Sequence, residues 1–222
     1  MAQNPWYVQK SKALRTSKLG KIINKFNEEY DHLMYISKFM NIRNTLERIY
    51  ESSELIINKK SFNIVRISCV AQLQPRYLNN VKDGLSVYLS NFMLKANHDV
   101  EGFTICFNGI KLKEKEPRVI NGDPSVMFLK ITFKLLLLVL KEDYRIKVQI
   151  NKIEPLKIHL DVFGIIEATF AEELFKQFAY NSRNNTFIRD NKTYSLNDII
   201  NFTIKNVTYS ACGSNVKLIG CI

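Results

Sequence analysis

Residues Phe62–Lys113 read FNIVRISCVAQLQPRYLNNVKDGLSVYLSNFMLKANHDVEGFTICFNGIKLK, and this stretch decides the fold. Alternating apolar side chains in its first third predict a half-buried strand, which Pro75 ends. The apolar face that recurs after Asp83 predicts a helix, and Gly102 precedes a second strand that closes on an Asn-Gly turn signal. At the centre lies Leu73–Asn80, whose residue types predict a docking surface rather than a catalytic loop.

The composition predicts a globular protein of one or two domains. The chain has 222 residues, of which 46% are hydrophobic and 24% are charged, so a packed core is expected. Its longest apolar run, Leu135–Leu140, is far shorter than the roughly 20 residues that span a bilayer. No secretory signal is visible either. We therefore expect a protein that does not associate with a membrane.

Metal-binding and catalytic motifs are not visible in the sequence. The four cysteines lack Cys-x-x-Cys spacing and the three histidines are isolated, so we expect no metal site. The chain has no glycine-rich phosphate loop, no His-Glu-x-x-His and no nucleophile elbow. His159 and Asp161 could share one face of a strand, but no nucleophile accompanies them. We therefore expect a protein without catalytic residues or cofactors.

The N-terminal region is basic and then becomes helical in pattern. The formal net charge of the chain is +11, and residues 1–27 hold six of the basic residues and no acidic one. We expect this basic arm of residues 1–27 to be either a phosphate-binding element or a solvated, partly disordered tail. Within it, Met1–Ser17 shows little periodicity and is expected to be mobile until bound. From Lys18 to Ser52 the apolar spacing predicts one long helix, or two with a bend near Asn41. These helices either pack on their own domain or dock on a partner.

The C-terminal third predicts a closed β-barrel. After a long apolar strand over Val126–Leu140, alternating segments predict about five short strands with little helix. Ile158–Ala168 is expected to be one strand bent at Gly164. Tyr194–Val207 resembles the penultimate strand region of S1-type OB domains. The number and order of the strands favour an OB-type barrel.

Several short segments keep a fixed order along the chain: Gln74–Asn80, Asp83–Leu85, Leu89, Met93–Leu94, Gly102–Phe103 and Asn108–Leu112. In this order and spacing they resemble the larger stalk subunit of RNA polymerase I. The likeness continues through the strand Phe128–Val139, the barrel opening Tyr144–Lys152 and Ile158–Ala168. It covers about residues 60–222 and is strongest between residues 70 and 112.

The fold class that we expect is therefore α+β in three segments. Residues 1–58 form a basic arm and a helical extension, which has no counterpart in the resemblance. Residues 59–142 form an α/β tip domain with an antiparallel sheet, in which Lys111–Asp123 is an exposed loop. Residues 143–222 form the S1-like OB-type barrel.

The resemblance implies a non-catalytic subunit of RNA polymerase I in the nucleus and nucleolus. Its tip domain would anchor to the core subunits of the polymerase. Together with a smaller stalk subunit, it would bind the polymerase I initiation factor. The side chains that we expect at the core-docking surface combine charged, aromatic and apolar types, as interfaces favour: Pro75, Arg76, Tyr77, Leu78, Asn79, Asn108 and Ile110.

The resemblance also implies that the barrel stands near the emerging RNA. Basic residues would follow the RNA backbone, and aromatic rings would stack on bases. Alternatively, the aromatic residues form the barrel core and the basic residues a solubilising surface. The candidates for RNA contact are Lys147, Lys152, Lys157, Phe163, Arg183, Phe187, Arg189 and Lys192.

Other members of the stalk family remain alternatives. The glycine-rich loop expected in the RNA polymerase II counterpart is missing between Ile110 and Val126, which favours polymerase I over II. The RNA polymerase III counterpart stays open. A free-standing S1/OB-type RNA-binding or translation factor is the alternative from another class of protein.

Overall fold

The computed structural model describes residues 6–14, 18–51, 61–113, 118–120, 123–209 and 216–222. The chain divides into two compact units, which are Met1–Glu47 with Lys60–Val139 and Arg48–Lys59 with Leu140–Ile222. The sequence-based division set residues 1–58 apart from the sheet, whereas the structure groups the residues up to Glu47 with it.

The first unit is built on an antiparallel sheet of six strands. In spatial order the strands are β1, β2, β6, β4 and β3, and β5 also pairs with β6. The region 111–123, which we expected to be a loop, instead contains the end of β4, all of β5 and the start of β6, while its residues 114–117 and 121–122 lie outside the described residues. The strands are β1 (Tyr7–Ala13), β2 (Phe62–Leu73), β3 (Lys95–Asn97), β4 (Gly102–Leu112), β5 (Arg118–Ile120) and β6 (Asp123–Leu138).

Three helices complete this part of the chain: α1 (Leu19–Tyr30), α2 (Ser37–Glu51) and α3 (Val81–Ser90). The expected bend near Asn41 is wrong. The helices break instead at a 3-10 turn over Asp31–Leu33, where the backbone of Tyr30 leaves helical geometry with φ −125° and ψ 12°. α2 runs through Asn41 because apolar positions on both sides of it, such as Ile42, keep one buried face continuous.

The helices of the N-terminal region pack on their own sheet. Tyr30 and Phe39 meet Phe107 of β4, with ring centroids 5.2 and 6.4 Å apart, and Phe107 meets Phe133 of β6 at 6.4 Å. All four rings are buried. Burial, and then the charge of Glu29, raises the pKa of the Tyr30 phenol. The apolar face of α1 and the start of α2 therefore belongs to the core of this unit.

The segment that we expected to be a mobile arm contains a strand in its described part. β1 pairs with β2 from Tyr7–Ser68 to Ala13–Asn63, and all of its side chains are exposed. Trp6 anchors its start: the indole is 4% exposed and its centroid lies 5.7 Å from that of Phe92 and 5.5 Å from that of Phe133. A strand exposed on both faces has no apolar alternation, so the sequence pattern could not indicate it.

The second unit is a closed barrel of five strands. β7 (Arg145–Glu154), β8 (Lys157–Val162) and β9 (Ile166–Phe170) form an antiparallel meander, and β9 pairs in parallel with β14 (Val216–Cys221). β13 (Ile199–Tyr209) then joins β14 to β7 and closes the barrel. This order confirms the predicted OB-type barrel.

A small layer is inserted between β9 and β13. It consists of the short helix α4 (Glu172–Phe175) and a three-stranded antiparallel sheet of β10 (Ala179–Asn181), β11 (Thr186–Arg189) and β12 (Lys192–Tyr194). The predicted strand–turn–strand between Thr186 and Tyr194 is confirmed.

The single bent strand that we expected over Ile158–Ala168 is instead two strands, β8 and β9. Phe163 and Gly164 have φ values of +58° and +71°, and this pair of left-handed residues lies in the turn that joins the strands. Consecutive positive φ values are typical of tight hairpin turns, so the glycine reverses the chain rather than bending a strand.

The burial of Trp6 leads to a test of the N-terminal strand. Replacing Trp6 by Ala should lower the free energy of unfolding by about 3–5 kcal/mol, because a buried aromatic ring is removed from a packed core. Tyr7, which is 65% exposed, is the matched control, and Tyr7→Ala should change the free energy of unfolding by less than about 0.5 kcal/mol. Urea denaturation measures both, and equal effects would contradict an anchoring role for Trp6.

Candidate docking and RNA-contact surfaces

A six-residue 3-10 helix, Pro75–Asn80, follows β2 and is called the docking turn below. Pro75 stands in its first turn, where a missing backbone N–H costs nothing and the fixed φ favours a helical start. None of its residues is buried, and the Leu78 side chain is 54% exposed. The docking turn therefore presents an apolar side chain to solvent beside a charged one.

The docking turn is held rigidly against α3. A Cβ atom added to Gly84 would lie 2.4 Å from Tyr77 Cβ and 2.5 Å from a Leu73 methyl carbon, so only glycine allows this approach. The Arg76 guanidinium carbon lies 4.9 Å from the Tyr77 ring centroid, at cation–π distance. Tyr77 thus fixes the turn on one side and orients Arg76 on the other.

Asn80 joins the docking turn to the helix. Its side chain accepts a hydrogen bond from the Asp83 backbone N–H at 3.4 Å and donates to Asp83 Oδ2 at 2.5 Å. This reciprocal pair caps the start of α3. Asp83 Oδ1 also lies 3.0 Å from His32 Nε2, which links the cap to the N-terminal helical region.

The seven predicted core-docking residues do not form one surface. Asn108 pairs across the sheet with Lys134, which pairs with Arg66 of β2. Arg66 stands seven residues before Leu73, roughly 23 Å along a strand at about 3.3 Å per residue. Ile110 follows Asn108 on β4, also away from the docking turn. Pro75, Arg76, Tyr77, Leu78 and Asn79 share the docking turn, whereas Asn108 and Ile110 lie elsewhere on the sheet.

Two of the predicted RNA-contact residues do come together on the barrel. Lys147 of β7 and Phe163 of the β8–β9 turn line a groove of about 340 Å³, called the barrel groove below. Asp161 shapes its wall by accepting a 2.6 Å hydrogen bond from the Gly164 backbone N–H. Arg48 brings a second cation to the groove. The groove thus combines two cations with an aromatic ring, as single-stranded nucleic-acid sites do, but the acidic side chains of Glu51 and Asp161 also line it and offset that charge.

Lys152 and Lys157 are engaged with carboxylates. Lys152 Nζ lies 2.5 Å from Glu154 Oε1, and Lys157 Nζ lies 3.4 Å from Glu167 Oε1. The hydrogen bond from Lys152, and then that from His159, lowers the pKa of Glu154. These glutamates reduce the positive potential that the two lysines could offer to a phosphate.

The remaining four predicted residues lie on the inserted layer. Phe187 is 1% exposed and packs against Phe175 at a centroid distance of 5.4 Å, so its ring is not available to stack on a base. We therefore remove Phe187 from the RNA-contact set. Two cationic side chains of this layer lie over aromatic rings. The Arg189 guanidinium carbon is 5.6 Å from the Phe178 ring centroid, and Lys192 Nζ is 5.4 Å from the Tyr194 ring centroid. Arg183 is exposed in the β10–β11 turn.

Three lysines of the predicted basic arm lie on a surface with a lysine of the sheet, and this convergence was not predicted from the sequence. Lys18, Lys21 and Lys25 of the α1 region converge with Lys134 of β6 on a cavity in the first unit. The spacing of these three lysines in the sequence indicated part of this surface, because steps of three and four residues place side chains on one face of a helix. The contribution of β6 depends on the fold and could not be inferred from that spacing.

In the described parts of the chain, no group of three or more His, Cys, Asp or Glu side chains is placed to hold a metal ion. No helix in those parts is long and apolar enough to cross a membrane.

Comparison with protein families identifies one part of the chain. Residues 68–124 match the SHS2 domain found in the N terminus of Rpb7p/Rpc25p/MJ0397. No curated protein matches the chain. The matched residues include the docking turn, α3 and β4, and an SHS2-type tip followed by an OB-type barrel is consistent with the whole architecture. The match covers about a quarter of the chain and supports a relation to the RNA polymerase stalk subunits that carry this domain.

The contact between Gly84 and Tyr77 gives a test of the docking turn. Gly84→Ala should lower the free energy of unfolding by about 1–3 kcal/mol, because the added methyl group must displace Tyr77 or Leu73. This is the opposite of the gain that alanine gives in an open helix position. Asn44→Ala, at an exposed position of α2, is the control and should not lower the free energy of unfolding, because alanine favours the helix. Urea denaturation of both variants distinguishes steric displacement from helix propensity.

Proposed function

We propose that the chain is a stalk subunit of RNA polymerase I, which anchors to the core enzyme and takes no catalytic part. The single observation that carries this proposal is the SHS2 match over residues 68–124 in a chain that continues into an OB-type barrel. The finer assignment to polymerase I rests on the resemblance in segment order and on the missing glycine-rich loop between Ile110 and Val126.

The docking turn is the proposed anchor to the core subunits. It is exposed and held in place by Gly84, and it offers Leu78 for burial and Arg76 for ion pairing. A rigid surface loses little conformational entropy on binding, so most of its contact free energy contributes to affinity. Asn108 and Ile110 lie on β4, away from the docking turn, and are not part of this proposed anchor.

The barrel is proposed to meet the initiation factor and the nascent RNA, with a smaller stalk subunit beside it where one exists. Residues 144–222 contain 10 basic and 7 acidic side chains, a net charge of only +3. RNA binding by the barrel should therefore be weak and sensitive to salt. The barrel groove, with Lys147 and Phe163, is the site where we expect the contact.

This function places the protein in the nucleus and nucleolus during ribosomal RNA synthesis. The alternatives are the equivalent subunit of RNA polymerase III or II, and a free-standing S1/OB-type RNA-binding factor. The promoters occupied by the tagged protein in a chromatin experiment distinguish the polymerase classes. Occupancy of ribosomal RNA genes is expected, and occupancy of another promoter class in their place would overturn the polymerase I assignment.

Affinity purification tests the anchor. The tagged wild-type chain should recover the large polymerase subunits from its own cells. Arg76→Glu/Leu78→Glu should recover at least about tenfold less, because a cation becomes an anion and an exposed apolar side chain becomes a carboxylate. Lys141→Glu/Lys217→Glu carries a comparable change of charge in the second unit and should behave as wild type. Absence of polymerase from the wild-type sample would exclude the stalk function.

Filter binding tests the barrel groove. Lys147→Glu/Phe163→Ala should reduce the affinity of the purified chain for single-stranded RNA roughly tenfold, since one cation and one stacking ring are removed. Lys176→Glu, on the inserted layer, is the control. Raising the salt concentration should weaken wild-type binding steeply. Unchanged affinity of the double variant would place the RNA contact outside the barrel groove.

A further inference from the structure

A second cavity lies in the first unit, with a volume of about 250 Å³. Four lysines are among its lining residues, namely Lys18, Lys21, Lys25 and Lys134. All four lysines are exposed, three come from the α1 region and one from β6. We call this feature the lysine cavity.

The four lysines carry uncompensated charge. Within the described ranges, no carboxylate oxygen lies within 4.0 Å of any of their ammonium groups. Other cations of the same unit do have partners: Lys82 Nζ lies 3.2 Å from Glu29 Oε1, and Arg43 Nε lies 3.0 Å from Glu47 Oε1. The lysine cavity thus gathers four cations that have no carboxylate partner among the described residues.

The sheet beside the lysine cavity adds to this charge. Lys10 of β1 pairs with Arg66 of β2, and Arg66 pairs with Lys134 of β6. Directly paired residues of antiparallel strands project on the same face, and neighbouring strands lie about 4.8 Å apart. Three like charges therefore stand in one row, which is unfavourable in the free protein. A bound anion would relieve this repulsion.

The walls of the lysine cavity are aliphatic. Leu14, Ile22, Ile64 and Leu136 line it, and no aromatic side chain is among its described lining residues. Asn108 also lines it, and the Oδ1 atom of Asn108 is buried without a hydrogen-bond partner among the described residues. Because this atom is buried, the contacts to a ligand are assigned to the lysines and the aliphatic walls of the lysine cavity.

From these features we propose that the lysine cavity binds an acidic peptide segment of a partner protein that carries an aliphatic side chain. The carboxylates of the segment pair with the lysines, and its aliphatic side chain enters the cavity. Nucleic acid fits less well, because single-stranded binding sites combine cations with aromatic rings on which bases stack. The inference does not depend on the proposed polymerase function.

Fluorescence anisotropy with the full chain tests this site. The probe is a labelled synthetic peptide in which glutamates flank a central leucine. Lys21→Glu/Lys134→Glu should weaken its binding roughly tenfold, because two attractive pairs become repulsive. Lys141→Glu/Lys217→Glu, with the same change of net charge in the second unit, should bind as wild type does. Thermal melting of both variants verifies that these exposed substitutions leave the fold intact.

A second test changes the peptide and uses only the wild-type protein. A peptide with glycine in place of leucine should bind wild-type protein several-fold more weakly, since the aliphatic cavity is left unfilled. Equal binding of the two peptides, or of the two double variants, would overturn the proposal. Tighter binding of a single-stranded oligonucleotide that Lys21→Glu/Lys134→Glu abolishes would also overturn it and identify nucleic acid as the occupant.

Discussion

The pairing of β2 with β6 is the constraint on which the first unit depends. Twelve consecutive residue pairs join the two strands, from Phe62–Leu138 to Leu73–Met127, without a register shift. A slip of one residue would turn the buried Ile67 and Phe133 to the outer face and bring Arg66 to the core. β1 adds to β2, while β4 and β5 add to β6. The same register fixes where the docking turn begins and where the row of cations stands.

Much of this fold could be predicted from apolar periodicity. The strands of the sheet bury one face, and apolar and polar residues alternate along the strands of the barrel. The docking turn was also readable, since Pro75 ends a strand and an apolar helix face follows within ten residues. The residue types, rather than their spacing, distinguished this turn from an ordinary one. Proline, arginine, tyrosine and leucine lie together where most turns carry small polar residues. The role of Gly84 could not be predicted from the sequence, because it depends on the atoms of Tyr77 and Leu73 that lie against it in the folded protein.

Three features could not be placed from the sequence, because their positions depend on tertiary structure. Asn108 is near the docking turn in motif order, but strand register carries it to the lysine cavity. Phe187 has the residue type of a stacking platform, but the inserted layer buries its ring. β1 escaped notice because an exposed edge strand needs no apolar pattern. Its lysines suit such an edge, since charge there discourages pairing with other chains.

The parallel pairing of β9 with β14 sets an order of events during synthesis. The sheet of the first unit has all of its strands once β6 has been made, at Leu138. The barrel cannot close until β14, at Val216–Cys221, takes its place between β9 and β13. Domains generally fold as units and the N-terminal one first. On the ribosome, the docking turn can therefore reach its final shape while the barrel is still an open sheet.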